Sequence, residues 1–245
     1  PITVTPTNKV SEDIQNVPQT QTPTFDLSND KTAEITSKKL VDPATGQPTD
    51  ETTVTVAGEG SYTIDPTTGA VTFTPEKDFV GTAKGVTVQA TATITNANGK
   101  TATITSDATY TPTVVPAVPT ANPATSKDVQ GATQKETPTF NTTATNSNGE
   151  KIAITPSAEY PAKLVDPATG LTTDAPSVTV EGEGTYTINP STGEVTFTPE
   201  PSFTGTAKGV DVTLSAPVGR NKNGKVQEEY IKTATPNNTP TVTPI

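Results

Sequence analysis

The side chains able to do chemistry in this chain reduce to carboxylates, carboxamides and lysines. Lys39, Lys84, Lys100, Asp42, Glu59 and Asn98 stand out because each has a counterpart further along the sequence. A lysine amine beside an Asn or Asp side chain, with a buried acid to relay the proton, can condense to an intramolecular isopeptide with loss of ammonia or water. Nothing in the spacing forces that geometry, and the plainer reading is solvated charges and turn residues. Calcium is the second chemistry to weigh, at the acidic stretches "SNDKTAE" and Asp50–Glu51. A calcium loop needs regularly spaced oxygen ligands, and no D-x-D-x-D run occurs, so these acids also read as solvated. Paired carboxylates for glycoside hydrolysis are compatible with the composition. The aromatic platform that usually holds a sugar is scarce, however, at 4% aromatic residues.

The missing residue types exclude more. There is no His, Cys, Met or Trp. Without His the side chain that titrates near neutral pH is gone, the usual activated nucleophiles lack their parts, and zinc or haem loses its common ligands. The chain is therefore expected not to be an enzyme, to use no cofactor, and to have no catalytic, cofactor-binding or metal residue. A formal net charge of -10 and a pI near 4.5 argue against nucleic acid or an anionic membrane as partner. No run of 18 apolar residues occurs, so no membrane-spanning helix is expected, and no signal peptide precedes Pro1. The chain reads as a segment of something longer.

What must position these side chains is β structure. Thr and Val favour strands, while 24 prolines cannot sit inside helices or central strands, and no helical period persists. The strands come in two copies. "TPTF" at Thr22–Phe25 returns at Thr137–Phe140, and "DIQNVPQTQ" from Asp13 returns as "DVQGATQKE" from Asp128. "KLVDPATG" at Lys39–Gly46 returns at Lys163–Gly170 with a larger offset, which places extra residues of the second copy within "GEKIAITPSAEYPA". The larger offset holds through "GEGSYTIDPTTGAVTFTP" and "GEGTYTINPSTGEVTFTP", and through "FVGTAKGV" and "FTGTAKGV". Two all-β domains in tandem, residues 1–118 and 119–245, each a β-sandwich, follow from this.

Inside each copy the turns are legible. In "YTIDPTTGAVTF", Tyr62 and Ile64 share one face and Val71 and Phe73 share one, at the strand period. Between them Asp65–Gly69 supplies an acceptor side chain, a proline and a glycine able to take positive φ. "DPATG" at Asp42 and Asp166 and "NPSTG" at Asn189 use the same device. A second hairpin alternates from Val86 to Thr95, turns at "NANG" and returns from Lys100; in the second copy its equivalent is more charged and must be longer or bulged. The expected core is Phe25, Leu40, Tyr62, Ile64, Val71, Phe73, Phe79 and Val86. Its second copy is Phe140, Leu164, Tyr186, Ile188, Val195, Phe197, Phe203 and Val210.

The joint is "TPTVVPAVPTANPAT", Thr111–Thr125, a short Pro-rich linker. Its prolines predict an extended semi-rigid spacer of roughly 3.1 Å per residue, and with it a particle longer than a compact sphere, whose radius of gyration would be roughly 18 Å. An isolated chain is expected to be monomeric.

"DPATG" is faintly similar to the LPxTG sorting signal of Gram-positive wall proteins, but it lacks the leucine and any hydrophobic stretch after it, and reads as a turn. Taken together, "TPTF", "KLVDPATG", "GEGTYTI[DN]P[ST]TG", "VTFTP", "GTAKGV", "NGK" and "TPTV" resemble the CshA-type fibril repeat of streptococcal surface adhesins. The resemblance covers nearly the whole of each copy. It implies a secreted, cell-wall-anchored fibrillar adhesin whose repeats form the stalk carrying an adhesive N-terminal region. The alternative is that the repeats themselves bind host protein, glycan or neighbouring fibrils. The partners it implies are adjacent repeats of the same polypeptide and, through the rest of the parent protein, host extracellular matrix or other bacteria.

Overall fold

A computed structural model describes residues 1–146 and 148–245. The chain divides into two compact units, one made of Pro1–Pro116 with Gly219–Lys225, the other of Ala117–Val218 with Val226–Ile245. Both are all-β, as the Thr- and Val-rich, Pro-punctuated sequence requires.

Unit 1 contains β1 (Val4–Thr7), β2 (Lys9–Ile14), β3 (Gln19–Gln21), β4 (Thr24–Leu27), β5 (Ala33–Leu40), β6 (Thr53–Val56), β7 (Gly60–Ile64), β8 (Val71–Pro75), β9 (Gly81–Thr82), β10 (Val86–Thr95) and β11 (Thr101–Val115). One sheet runs β2-β11-β10-β5 with β9 beside β11, the other β3-β8-β7-β6, and β1 pairs with β4. All pairings are antiparallel except β2 with β11, which are parallel. Val86, Val88, Ala90 and Ala92 of β10 are all buried, and Thr87, Gln89 and Thr91 between them are only partly so. Period two thus makes one buried face. Every residue of the expected first core is buried, joined by Val88, Ala90, Ala108, Tyr110 and Val114. Tyr62 packs on Phe73 at 4.8 Å between ring centroids, and Phe79 meets Phe73 edge-on at 6.5 Å, the offset and edge geometries aromatic rings prefer. Burying one such ring contributes about 1.5–3 kcal/mol.

Unit 2 contains β12 (Pro119–Asn122), β13 (Ala124–Val129), β14 (Gln134–Glu136), β15 (Thr139–Thr145), β16 (Lys151–Ala153), β17 (Lys163–Asp166), β18 (Leu171–Thr173), β19 (Ser177–Val180), β20 (Gly184–Ile188), β21 (Val195–Pro199), β22 (Gly205–Thr206), β23 (Val210–Pro217), a 3-10 turn at Glu228–Tyr230, β24 (Ile231–Ala234) and β25 (Asn237–Thr243). Its sheets run β13-β25-β23-β17-β18, β14-β21-β20-β19 and β12-β15-β16. The expected core of the second copy is buried, with Phe203 partly so at its margin.

The two copies differ where the sequence departs from its own repeat. The insertion splits the equivalent of the eight-residue β5 in two. Its first part becomes β16, paired with β15, and only β17 keeps the register of unit 1, Lys163 opposite Thr213 and Leu164 opposite Val212, as Lys39 faces Gln89 and Leu40 faces Val88. The long β11 is likewise broken into β24 and β25. Pro236 stands between them; a proline offers no N–H to a ladder, and its carbonyl instead accepts the Val212 N–H at 2.8 Å.

The Pro-rich joint is shorter than the sequence suggests. Thr111–Val115 completes β11, Pro119–Asn122 forms β12, and Ala124 begins β13, so only residues 116–118 and Pro123 lie outside strands. Pro112 is accommodated opposite Ser11 in the parallel pairing, and its carbonyl accepts the Ala83 N–H at 2.9 Å. Prolines at such positions serve as strand residues rather than as a fifteen-residue spacer.

Candidate functional site

The repeated octapeptide is a turn in both places. In "DPATG" the Asp42 carboxylate accepts the Ala44 N–H at 2.9 Å, the Asp42 carbonyl accepts the Gly46 N–H at 2.7 Å, and Gly46 sits at φ 74. Asp166 repeats the pattern with Ala168 and Gly170 at the same 2.9 and 2.7 Å. Asp65 and Asn189 do the same in the other hairpins. The side-chain acceptor and the left-handed glycine are the chemistry of the turn itself, which absorbs Asp42 as a structural residue.

A second recurrent turn ends the last hairpin. In "NANGK" the Asn96 side-chain oxygen accepts the N–H groups of Asn98 and Lys100, and in "NKNGK" Asn221 accepts those of Asn223 and Lys225. Asn98 and Asn223 therefore present their backbone to the turn and their side chains outward.

The structure does not bring the candidate lysines to the buried acid. Lys39 pairs with Asp50 at 2.7 Å, and Lys163 pairs with Asp174 at 2.7 Å, with both aspartates almost fully exposed. The hydrogen bond and charge of the neighbouring lysine hold both carboxyls below the usual range. Lys84, Lys100, Lys208 and Lys225 have exposed side chains. Glu59 is the buried acid, 2% exposed, and it meets Lys84 through the backbone N–H, 2.5 Å from Oε1. Its counterpart Glu183 accepts the Lys208 N–H at 2.8 Å. Beside each glutamate lies a tyrosine, Tyr62 or Tyr186, whose hydroxyl is buried without a hydrogen-bond partner among the described residues. Desolvation first, and the adjacent glutamate second, push both phenols well above the ordinary tyrosine value. The backbone N–H groups of Gly85 and Gly209 oppose the shift without completing a bond. Each acid thus fixes the strand-to-strand loop that follows Gly81 or Gly205, a structural task.

Among the described residues no group of three or more acidic side chains is gathered as a metal site. A recess of ≈ 260 Å³ beside the Lys39–Asp50 pair, floored by Ile64 and Pro66, recurs at ≈ 290 Å³ beside Lys163–Asp174 over Ile188 and Pro190. It marks the same open edge between two strands in each unit.

One surface of unit 1 holds a partner segment. Arg220 bridges Phe79 in parallel register; its N–H donates to the Asp78 carbonyl at 2.6 Å, and its carbonyl accepts the Val80 N–H at 3.0 Å. Gly219 is seated so tightly that a Cβ there would lie 2.6 Å from Val80 and 2.7 Å from the Asp78 carbonyl. The Lys222 carbonyl would stand 2.5 Å from a Cβ at Gly58. Buried Gln15 supports the rim by donating to the Lys77 carbonyl at 3.1 Å. No pattern in the sequence marks this docking, because it is made almost entirely by backbone.

The sheets, turns and repeated buried acids define a tandem-repeat module of β-sandwiches. The family profile described as the surface adhesin CshA repetitive domain matches residues 1–114 and again 116–231. The chain belongs to that family. No curated protein matches the chain. Among solved structures it is similar to mouse cadherin-23 EC22-24 (11% identity, 98% of this chain and 66% of that chain, TM-score 0.33). Human CDH23 EC21-23 (12%, 86% and 62%, TM-score 0.33) and Drosophila N-cadherin EC1-4 (11%, 96% and 48%, TM-score 0.29) are also similar. The chain spans between 48% and 66% of the length of these three.

Proposed function

We propose that the two repeats are links of the stalk of a secreted, cell-wall-anchored bacterial adhesin, and that they carry an adhesive region without binding host molecules themselves. The observation behind this reading is where the aromatic side chains go. Tyr62, Tyr110, Tyr186, Phe73 and Phe197 are fully buried, and the exposed large hydrophobics (Val10, Val118, Val129, Leu171, Ile231 and Ile245) are all aliphatic. Recognition surfaces rely on exposed Trp, Tyr and Arg anchors around a desolvated centre. Here the aromatic area stabilises the fold, and the outer sheet faces are lined with threonines that bond one another, as Thr53 to Thr63 and Thr20 to Thr72 at 2.9 Å. The test is competition: the soluble two-repeat chain, added in excess to bacteria bearing the parent adhesin, should leave adhesion unchanged. Dose-dependent inhibition would overturn the stalk reading and make the repeats the binding module.

A further inference from the structure

We infer that unit 2 carries an open copy of the surface that in unit 1 holds Gly219–Lys225, and that its occupant is the corresponding basic hairpin loop of a further repeat. The inference rests on the stalk reading, in which repeats of this kind follow one another. The receiving surface is repeated in outline: Phe203 stands for Phe79, Gly182 for Gly58 and Gln130 for Gln15, while Pro201, Ser202 and Thr204 take the places of Lys77, Asp78 and Val80. The supporting bonds are duplicated as well. Gln130 donates to the Pro201 carbonyl at 2.9 Å as Gln15 does to that of Lys77, and the Gly182 N–H donates to Glu200 at 3.2 Å as the Gly58 N–H does to Glu76.

What differs is coverage. Phe79 is 3% and Val80 1% exposed, whereas Phe203 is only partly buried and Thr204 is exposed. Among the described residues nothing lies within 4 Å of a Cβ built on Gly182, where Gly58 meets the Lys222 carbonyl at 2.5 Å. A surface built for a backbone strand, with its glycine kept clear, is present in both units.

The chemistry selects the occupant. The segment seated in unit 1 is "GRNKNGK", with three cations, no acid and a glycine that packs against the receiving strand. The open surface in unit 2 is flanked by Glu181, Glu183 and Glu200, and Glu181 replaces the neutral Ala57 of unit 1. A loop of the "GRNKNGK" kind therefore suits it by backbone pairing and by charge. The shorter "NANGK" turn of unit 1, with one lysine and no leading glycine-arginine pair, does not supply the same strand.

Hydrogen exchange followed by mass spectrometry tests this. In the present chain the Val80 amide should exchange at least about tenfold more slowly than the Thr204 amide, because only the first donates to a docked carbonyl. Gly219→Val should abolish that difference. In a chain extended by a further copy of residues 116–245, the peptide spanning Thr204 occurs twice, and half of its signal should slow to the Val80 rate while half stays fast. Gly219→Val in the appended copy alone should return all of it to the fast rate. A single fast population in the extended chain, or a Thr204 amide already as slow as Val80 in the present chain, would overturn the inference. The readout involves no adhesion, so its failure is distinguishable from failure of the stalk reading.

Discussion

Replacing Tyr62 or Tyr186 by Phe should cost the protein nothing, while replacing Tyr110 by Phe should destabilise it. All three side chains are fully buried, so apolar area is not what separates them. Among the described residues the hydroxyls of Tyr62 and Tyr186 complete no hydrogen bond, meeting only the poorly aligned N–H groups of Gly85 and Gly209; deleting such a group removes a desolvated dipole that gained little on folding. The Tyr110 hydroxyl lies 2.6 Å from Ser11 Oγ, Ser11 donates to Gln19 Oε1 at 2.5 Å, and the Gln19 amide donates to the Thr113 carbonyl at 3.0 Å. Ser11 has one proton and gives it to Gln19, so Tyr110 is the donor in the first bond. Tyr110→Phe removes that bond at a cost of about 1 kcal/mol, which for a unit of this size lowers Tm by about 4 °C. Tyr62→Phe and Tyr186→Phe should leave Tm unchanged or raise it by a few degrees. Differential scanning calorimetry on the three variants decides the matter. Equal losses in Tyr62→Phe and Tyr110→Phe would show that the Tyr62 hydroxyl has a partner, such as a buried water, and would refute the reasoning.

The same phenols predict an alkaline limit. Burial raises Tyr62, Tyr110 and Tyr186 above the ordinary value, so the folded chain keeps protons that the unfolded chain releases; stability is intact below pH about 10 and falls above it. Melting followed from pH 8 to 12 should show that fall, less steeply in the Tyr62→Phe, Tyr186→Phe double variant. Gly60→Ala and Gly184→Ala should each prevent their unit from folding, because a Cβ would stand 2.3 Å from the carbonyl of Thr74 or of Thr198; loss of one of two calorimetric transitions is the expected record.

Much of this architecture is legible in the residues. The hairpins at Asp42, Asp65, Asp166 and Asn189 are announced by an acceptor side chain, a proline and a glycine in fixed order, and period two identifies the buried members of β7, β8 and β10. Core membership followed because large apolar side chains are few and nearly all are needed inside. Tyr110 escaped because it adjoins "TPTVV", whose prolines read as linker, although Pro112 lies within β11, opposite Ser11, with its carbonyl accepting the Ala83 N–H. The paired buried glutamines, Gln19 and Gln134, escaped because a polar residue carries no periodic signal of burial; each is held by a serine, Ser11 or Ser126, at 2.5 Å. Asn238, which stands where unit 1 has Tyr110, is buried with its Oδ1 unpartnered among the described residues, so the second copy keeps the serine–glutamine–carbonyl part of the relay and lacks the tyrosine that begins it. The seating of Gly219–Lys225 was invisible for a different reason: backbone bonds leave no mark on side-chain identity beyond the bare glycines at Gly58 and Gly219.

The central claim is that these repeats act by carrying an adhesive region rather than by recognising a target. It is tested most directly by exchange. The parent adhesin is displayed on a Gram-positive surface with its native repeats, with the repeats deleted, and with the repeats replaced by the same number of an unrelated, inert β-sandwich, and adhesion is counted at equal surface density. The account predicts that deletion lowers adhesion and that the unrelated sandwiches restore it. Restoration by the native repeats alone would contradict it.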